Sequence, residues 1–197
     1  MENQKKFGVL GGTFDPIHMG HLVLAEQVRE KFQLDRVIFI PCASPPHKTE
    51  QELSPAQDRF EMTKLALQGN SYFLVSDIEL KREGLSYTVE TLRELKGLYK
   101  DKEIYFLTGS DVLNEITTWK NPEEIYKLAK LVIGIRPGFD KFDPENHFAK
   151  KSIIVNITGV DISSTQIREK VRKGESIKYL VPPKVEEYIK KRNLYKK

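Results

Sequence analysis

The sequence predicts an α/β fold: a doubly wound parallel sheet flanked by helices. Three observations carry this. Short continuous apolar runs alternate with segments of helical periodicity along the whole chain. Several of those runs, such as Val37-Ile38-Phe39-Ile40, are apolar on both faces, as parallel strands covered by helices require. The glycine-bearing and polar motifs fall just after strands: Gly11-Gly12, Pro41 to Lys48, Gly109-Ser110-Asp111, Arg136 and Asp161 to Ser164. In an open α/β sheet that places them on one edge, beyond the carboxyl ends of the strands, where ligands bind.

In chain order, Phe7 to Leu10 is the first strand, and Gly11-Gly12 ends it in a turn. Leu22 to Phe32 is helical, with Leu22, Ala25, Val28 and Phe32 at three- and four-residue spacing. Arg36 to Pro41 is the second strand, followed by a proline-rich loop to Leu53. Ser54 reads as an N-cap, Pro55 as the first helical residue and Gln57 as the partner in a capping box, with the helix running to about Gln68. Tyr72 to Ser76 is the third strand. Thr88 to Tyr99 is a helix with Val89, Leu92, Leu95 and Leu98 on one face. Ile104 to Thr108 and Leu131 to Arg136 are the fourth and fifth strands, separated by short helix or loop. Phe139 to Lys151 reads as irregular, Ile153 to Ile157 as the sixth strand, and Ser164 to Lys173 and Pro183 to Arg192 as closing helices.

A length of 197 residues fits one domain, residues 1–197, with a C-terminal helical segment from about 160 packed on it. A single cysteine, Cys42, excludes an intrachain disulfide and receives no role. No apolar stretch reaches the length of a signal-peptide core or membrane span, so a cytoplasmic protein without membrane contacts is expected. The net charge of +4 suits anionic small molecules and shows no concentrated basic stripe for nucleic acid. A dimer face and a core face read alike, so a homodimer stays open.

Chemistry concentrates in Gly11-Gly12-Thr13-Phe14-Asp15-Pro16-Ile17-His18-Met19-Gly20-His21-Leu22. Strand, glycine turn and helix start together make an anion site, because the first helix amides point outward unsatisfied at the positive end of the macrodipole. The glycine spacing fits neither the dinucleotide fingerprint nor the P-loop. His18 and His21 are then neutral or cationic donors to phosphate oxygens. A metal set of Asp15, His18 and His21 is the alternative, and the helix-start context favours the anion. A second anion site follows Asp161: Ser163 caps a helix, the first amides and the hydroxyls of Ser164 and Thr165 face an anion, and Arg168 reaches the same group one turn on.

The first stretch resembles the nucleotidyltransferase superfamily signature G-G-[ST]-F-[DN]-P-x-H-x-G-H, and is similar to the His-x-Gly-His form of the class I aminoacyl-tRNA synthetases. Ile162-Ser163-Ser164-Thr165-Gln166-Ile167-Arg168 resembles the superfamily's second signature. A synthetase would carry Lys-Met-Ser-Lys-Ser there and a much longer chain. The resemblance implies a Rossmann-like fold that binds ATP and transfers AMP, with Gly11, Gly12, Thr13, Phe14, His18, His21, Gly109, Asp111, Arg136, Ile162, Ser163, Ser164, Thr165 and Arg168 around ATP. His18, His21 and Arg168 take the catalytic roles.

Four further segments resemble the bacterial nicotinate-nucleotide adenylyltransferases: Pro41-Cys42-Ala43-Ser44-Pro45-Pro46-His47-Lys48, Ser86-Tyr87-Thr88, Gly109-Ser110-Asp111 and Trp119-Lys120. Ile135-Arg136-Pro137-Gly138 also fits. That resemblance implies nicotinate mononucleotide as acceptor, contacted by Asp15, Ser44, His47, Lys48, Thr88 and Trp119. Trp119, the only tryptophan, lies in a polar loop from which it could stack on a flat ring. Thr88 opens a helix whose amides could hold a ring carboxylate. The expected chemistry is direct in-line displacement, with Mg²⁺ carried on the substrate phosphates and no metal ligands from the chain. Another acceptor, such as nicotinamide mononucleotide or phosphopantetheine, and a nucleotide-binding regulatory module without turnover are the alternatives.

Overall fold

The computed structural model describes residues 5–46, 53–136, 143 and 145–196. Six strands form one sheet: β1 (Lys6–Gly12), β2 (Arg36–Pro41), β3 (Phe73–Val75), β4 (Glu103–Gly109), β5 (Lys130–Ile135) and β6 (Ile153–Asn156). Their order is β3-β2-β1-β4-β5-β6, and every pairing is parallel. The order reverses at β1, so the loops after β1 and β4 part there and leave the crevice typical of this topology.

Alternation along each strand sends side chains into two cores. Leu10, Phe39, Leu107 and Val132 pack against α1 (Met19–Phe32), α2 (Ala56–Ala66), α7 (Ser164–Arg172) and α8 (Pro183–Arg192), through residues such as Val28, Met62, Ile167 and Val185. Val9, Ile38, Ile40, Phe106, Leu131 and Ile133 pack on the other face, against α3 (Thr88–Leu98), α4 (Val112–Glu115), α5 (Pro122–Leu128) and α6 (His147–Lys151). Burying one such aliphatic side chain stabilises the fold by about 1.5–3 kcal/mol, so neither face tolerates a polar residue.

Four local expectations are corrected. Helix α1 begins at Met19, three residues before Leu22, with His18 as N-cap. Ser54 does not cap α2: Pro55 occupies the N-cap position, no side chain caps the helix, and the Ser54 backbone is engaged elsewhere. Leu98, at the last turn of α3, is 66% exposed, because the helix ends there and its face runs past the sheet. His147–Lys151, expected to be irregular, forms a short helix capped by Asn146, whose side chain accepts from the Phe148 amide.

Helix α8 docks on α2 through a buried carboxylate. Asp58 Oδ1 accepts from the Tyr188 hydroxyl at 2.7 Å and from Arg192 Nε at 3.1 Å. Arg192 thus ties the end of α8 to α2. Past α8, Leu194 and Tyr195 pack against the first core.

Candidate functional site

The loop after β1 is shaped differently from a glycine turn. Gly11 and Gly12 stay within the strand, in register with Ile40 and Pro41, and the left-handed residue is Phe14, at φ 49°. Gly12 is needed for room: a Cβ there would lie 2.7 Å from the Phe14 ring. Phe14 is buried and meets the His21 ring edge-on at 5.0 Å. Its side chain therefore belongs to the core, and only its backbone faces the ligand side.

His18 and His21 stand together at the start of α1, with ring centroids 3.8 Å apart. The His18 amide donates to His21 Nδ1 at 3.2 Å, so the His21 proton sits on Nε2. His18 Nδ1 is buried and has no hydrogen-bond partner among the described residues. Burial, followed by the charge of Arg136, lowers the pKa of His18 to about 4. Burial, then His18 and Arg136, holds His21 well below the usual histidine value. Both rings are thus neutral near pH 7. A neutral ring can still donate a hydrogen bond from its one N–H, and it brings no positive charge.

The second motif meets the first. Ser164 Oγ donates to the Pro16 carbonyl at 2.9 Å, and Arg168 Nη1 donates to the Asp15 carbonyl at 2.8 Å. Arg168 Nη2 also reaches Thr165 Oγ1 at 3.3 Å. Ser163 and Gln166 form the capping box of α7, which uses both the hydroxyl and the amide of Ser163. The amides of Ser164 and Thr165 then remain as the outward donors, while the Ser164 hydroxyl proton is spent on Pro16. Ile162 is buried, and its carbonyl lies beside Gly20 of α1. Arg136, at the end of β5, donates to the Val160 carbonyl at 3.4 Å and lies 4.0 Å from Asp161.

Asp15 departs from its expected role as a substrate contact. It is 2% exposed, and its carboxylate accepts from the Ser54 amide at 3.3 Å and from the Tyr195 hydroxyl at 2.6 Å. Both oxygens point into the protein, so Asp15 fixes the loop. Asp111 stands at the N-cap of α4 without capping it, and its Oδ1 lies over Gly109.

Ser44 and Ser86 bridge the loops after β2 and before α3. The Ser86 amide donates to the Ser44 carbonyl at 2.8 Å, and the Ser44 amide to Ser86 Oγ at 3.2 Å. Thr88 is the first residue of α3. Trp119 is half-buried and packs edge-on against Phe106, with centroids 6.3 Å apart. The next residue, Lys120, pairs with Glu90 and lies over the Tyr87 ring, which ties the tryptophan loop to the start of α3. His47 and Lys48 lie outside the described residues. A cavity of about 300 Å³ opens between Ala43–Pro45 and the start of α2.

One site residue was missed by sequence reasoning. Arg59, on α2, is 1% exposed. Its guanidinium donates to the carbonyls of Thr13 at 2.8 Å, Ala43 at 2.9 Å, Ser54 at 3.0 Å and Cys42. Nothing in the sequence separates a buried arginine from a surface one on an otherwise polar helix.

Comparison with known proteins bears on the family and the fold. Residues 9–170 match the family model described as cytidylyltransferase-like. A protein named probable nicotinate-nucleotide adenylyltransferase from Thermoanaerobacter sp. (strain X514) is 46% identical, covering 100% of this chain and 97% of its own length. One of the same name from Clostridium novyi (strain NT) is 46% identical over 98% of this chain and 100% of its own. The structure of Plasmodium falciparum nicotinic acid mononucleotide adenylyltransferase complexed with NaAD superposes with a TM-score of 0.82 at 25% identity, covering 97% of each chain. The chain belongs to the cytidylyltransferase-like family and, within it, to the nicotinate-nucleotide adenylyltransferases.

Proposed function

We propose that this protein transfers AMP from ATP to nicotinate mononucleotide, giving the deamido form of NAD and pyrophosphate. The observation that carries this is the junction of the two motifs, where Arg168 and Ser164 bond the Asp15 and Pro16 carbonyls beside the His18–His21 pair. Family membership and the relatives' names support the choice of reaction.

A phosphate oxygen of the mononucleotide attacks the α-phosphorus of ATP in line. A new P–O–P bond forms, the bond to the β-phosphate oxygen breaks, and pyrophosphate leaves. Both reactants are anions, so the enzyme lowers the barrier by positioning and charge stabilisation. The neutral His18 and His21 donate to the α-phosphate and the bridging oxygen as charge develops. Arg168 and the amides of Ser164 and Thr165 hold the β- and γ-phosphates. Arg136 adds positive charge, and Gly109 and Asp111 border the nucleoside. No three His, Cys, Asp or Glu side chains among the described residues form a metal-holding group. Mg²⁺ carried on the ATP phosphates would neutralise charge there.

Thr88 at the start of α3 presents amides to the ring carboxylate, and Trp119 stacks on the ring. Carboxylate at a helix start is favoured over neutral carboxamide by charge. The test is pyrophosphate release with ATP and Mg²⁺, offering nicotinate mononucleotide and nicotinamide mononucleotide in parallel. Preference for the acid is expected. Equal rates would remove the assigned ring contacts, and no release with either would remove the function.

A further inference from the structure

We infer that Arg59 is a positioning residue whose buried guanidinium turns the backbone amides of Phe14 and Ala43 toward the substrate phosphates. The inference rests on the reading of the site as an adenylyl-transfer site and adds a residue that never touches substrate.

The argument starts from what Arg59 bonds. Its partners are four main-chain carbonyls, from Thr13, Cys42, Ala43 and Ser54. They come from three segments: the loop after β1, the loop after β2, and the entry to α2. Among the described residues Arg59 forms no ion pair. The direct partners of the guanidinium are all carbonyls, while Asp15 and Glu79 act on its charge at longer range. A planar fork bonded in this way fixes the direction of several carbonyl dipoles at once.

In a trans peptide the carbonyl and the following N–H point opposite ways. Drawing the Thr13 carbonyl inward turns the Phe14 amide outward. Drawing the Cys42 carbonyl inward does the same for the Ala43 amide. Neither amide has a hydrogen-bond partner among the described residues. The third peptide is already used: with the Ala43 carbonyl drawn in, the Ser44 amide reaches Ser86 Oγ, the link to the Thr88 loop. One side chain thus sets the donors beside the histidines and the seam between the two substrate loops. The left-handed conformation of Phe14, unfavourable for an aromatic residue, needs such an anchor.

The first test uses the wild-type protein. In ¹⁵N-labelled enzyme, the Phe14 and Ala43 amide resonances are followed while ATP, then nicotinate mononucleotide, is added. Both are expected to shift on saturation, and failure of both to respond to either substrate overturns the inference. The second test compares Arg59→Lys with Arg59→Met, well below their melting temperatures. Removing an outer-shell partner typically costs about 10–100-fold in activity. For Arg59→Met we expect a fall in kcat of that size with the fold intact by circular dichroism. For Arg59→Lys we expect partial recovery, with both free-state amide shifts displaced from wild type. Folded variants whose kcat stays within about twofold of wild type overturn it, as a purely structural arginine would give. Where neither variant folds, the amide titration decides. An inactive wild-type enzyme whose two amides still answer ATP would count against the assigned reaction and leave the role of Arg59 standing.

Discussion

The hydroxyl of Tyr195 donates to Asp15 Oδ1 at 2.6 Å and so joins the segment after α8 to the loop after β1. The carboxylate is interior, and the carbonyl of the same residue receives Arg168. Burial, then Asp15, pushes the Tyr195 phenol above its ordinary range, so it stays a donor at every working pH. Tyr195→Phe leaves one carboxylate oxygen short of a partner at little change in volume. The expected cost is about 1–3 kcal/mol of stability, measured by urea unfolding. A loss below about 0.5 kcal/mol would mean that the oxygen finds water instead.

The two histidines give the largest expected loss of rate. Removing one preorganised donor to a developing oxyanion typically costs about 10²–10³ in kcat. His18→Ala and His21→Ala are each expected to fall in that range, with a double variant losing less than the product because the rings support each other. Full activity in a folded double variant would sink the mechanism.

The same pair sets a pH dependence whose sign follows from burial. His18 has a folded pKa of about 4 against 6.5 when unfolded. Below 6.5 the unfolded chain takes up a proton that the native ring refuses, so stability falls as pH drops toward 4 and levels below it. The share of His18 is about 3 kcal/mol across that window, and His21 acts in the same direction. Urea unfolding at several pH values should show this slope, and His18→Gln should flatten it. An unchanged slope in that variant would show that His18 is not neutral in the native state.

What the sequence revealed and concealed has physical causes. The strands were legible because Val37 to Ile40 and Ile104 to Leu107 are apolar on both faces, and only covered parallel strands need that. Both anion motifs were legible because the residues that face a phosphate are adjacent in the chain. The start of α1 was not, because its N-cap is His18, whose amide donates to His21 Nδ1, in place of the usual Ser, Thr, Asp or Asn. Arg59 and the inward turn of Asp15 were hidden for another reason. Apart from Ser54, five residues before Arg59, their partners lie 16 to 180 residues away, and no local pattern encodes them.

Gly20 separates catalysis from stability most sharply. It lies in the first turn of α1, where alanine normally favours a helix by about 0.5–1 kcal/mol over glycine. A Cβ there would sit 3.1 Å from both Cε1 and Nδ1 of His18. The His18 ring cannot yield freely, because the His21 ring packs against it at 3.8 Å and the ring itself is buried. The methyl group must therefore shift His18 by a few tenths of an ångström at the atoms that orient the donor. Misplacement of about 1 Å can cost about 10²-fold in rate, so this smaller shift is expected to cost about tenfold in kcat. Gly20→Ala should then melt near the wild-type temperature, the helix gain being offset by the crowding of His18, while turning over more slowly. Steady-state kinetics and a thermal melt on the same sample check both halves. Wild-type kcat in this variant would show that the ring has room to move without loss, and that its position in the free enzyme is not the one the reaction uses.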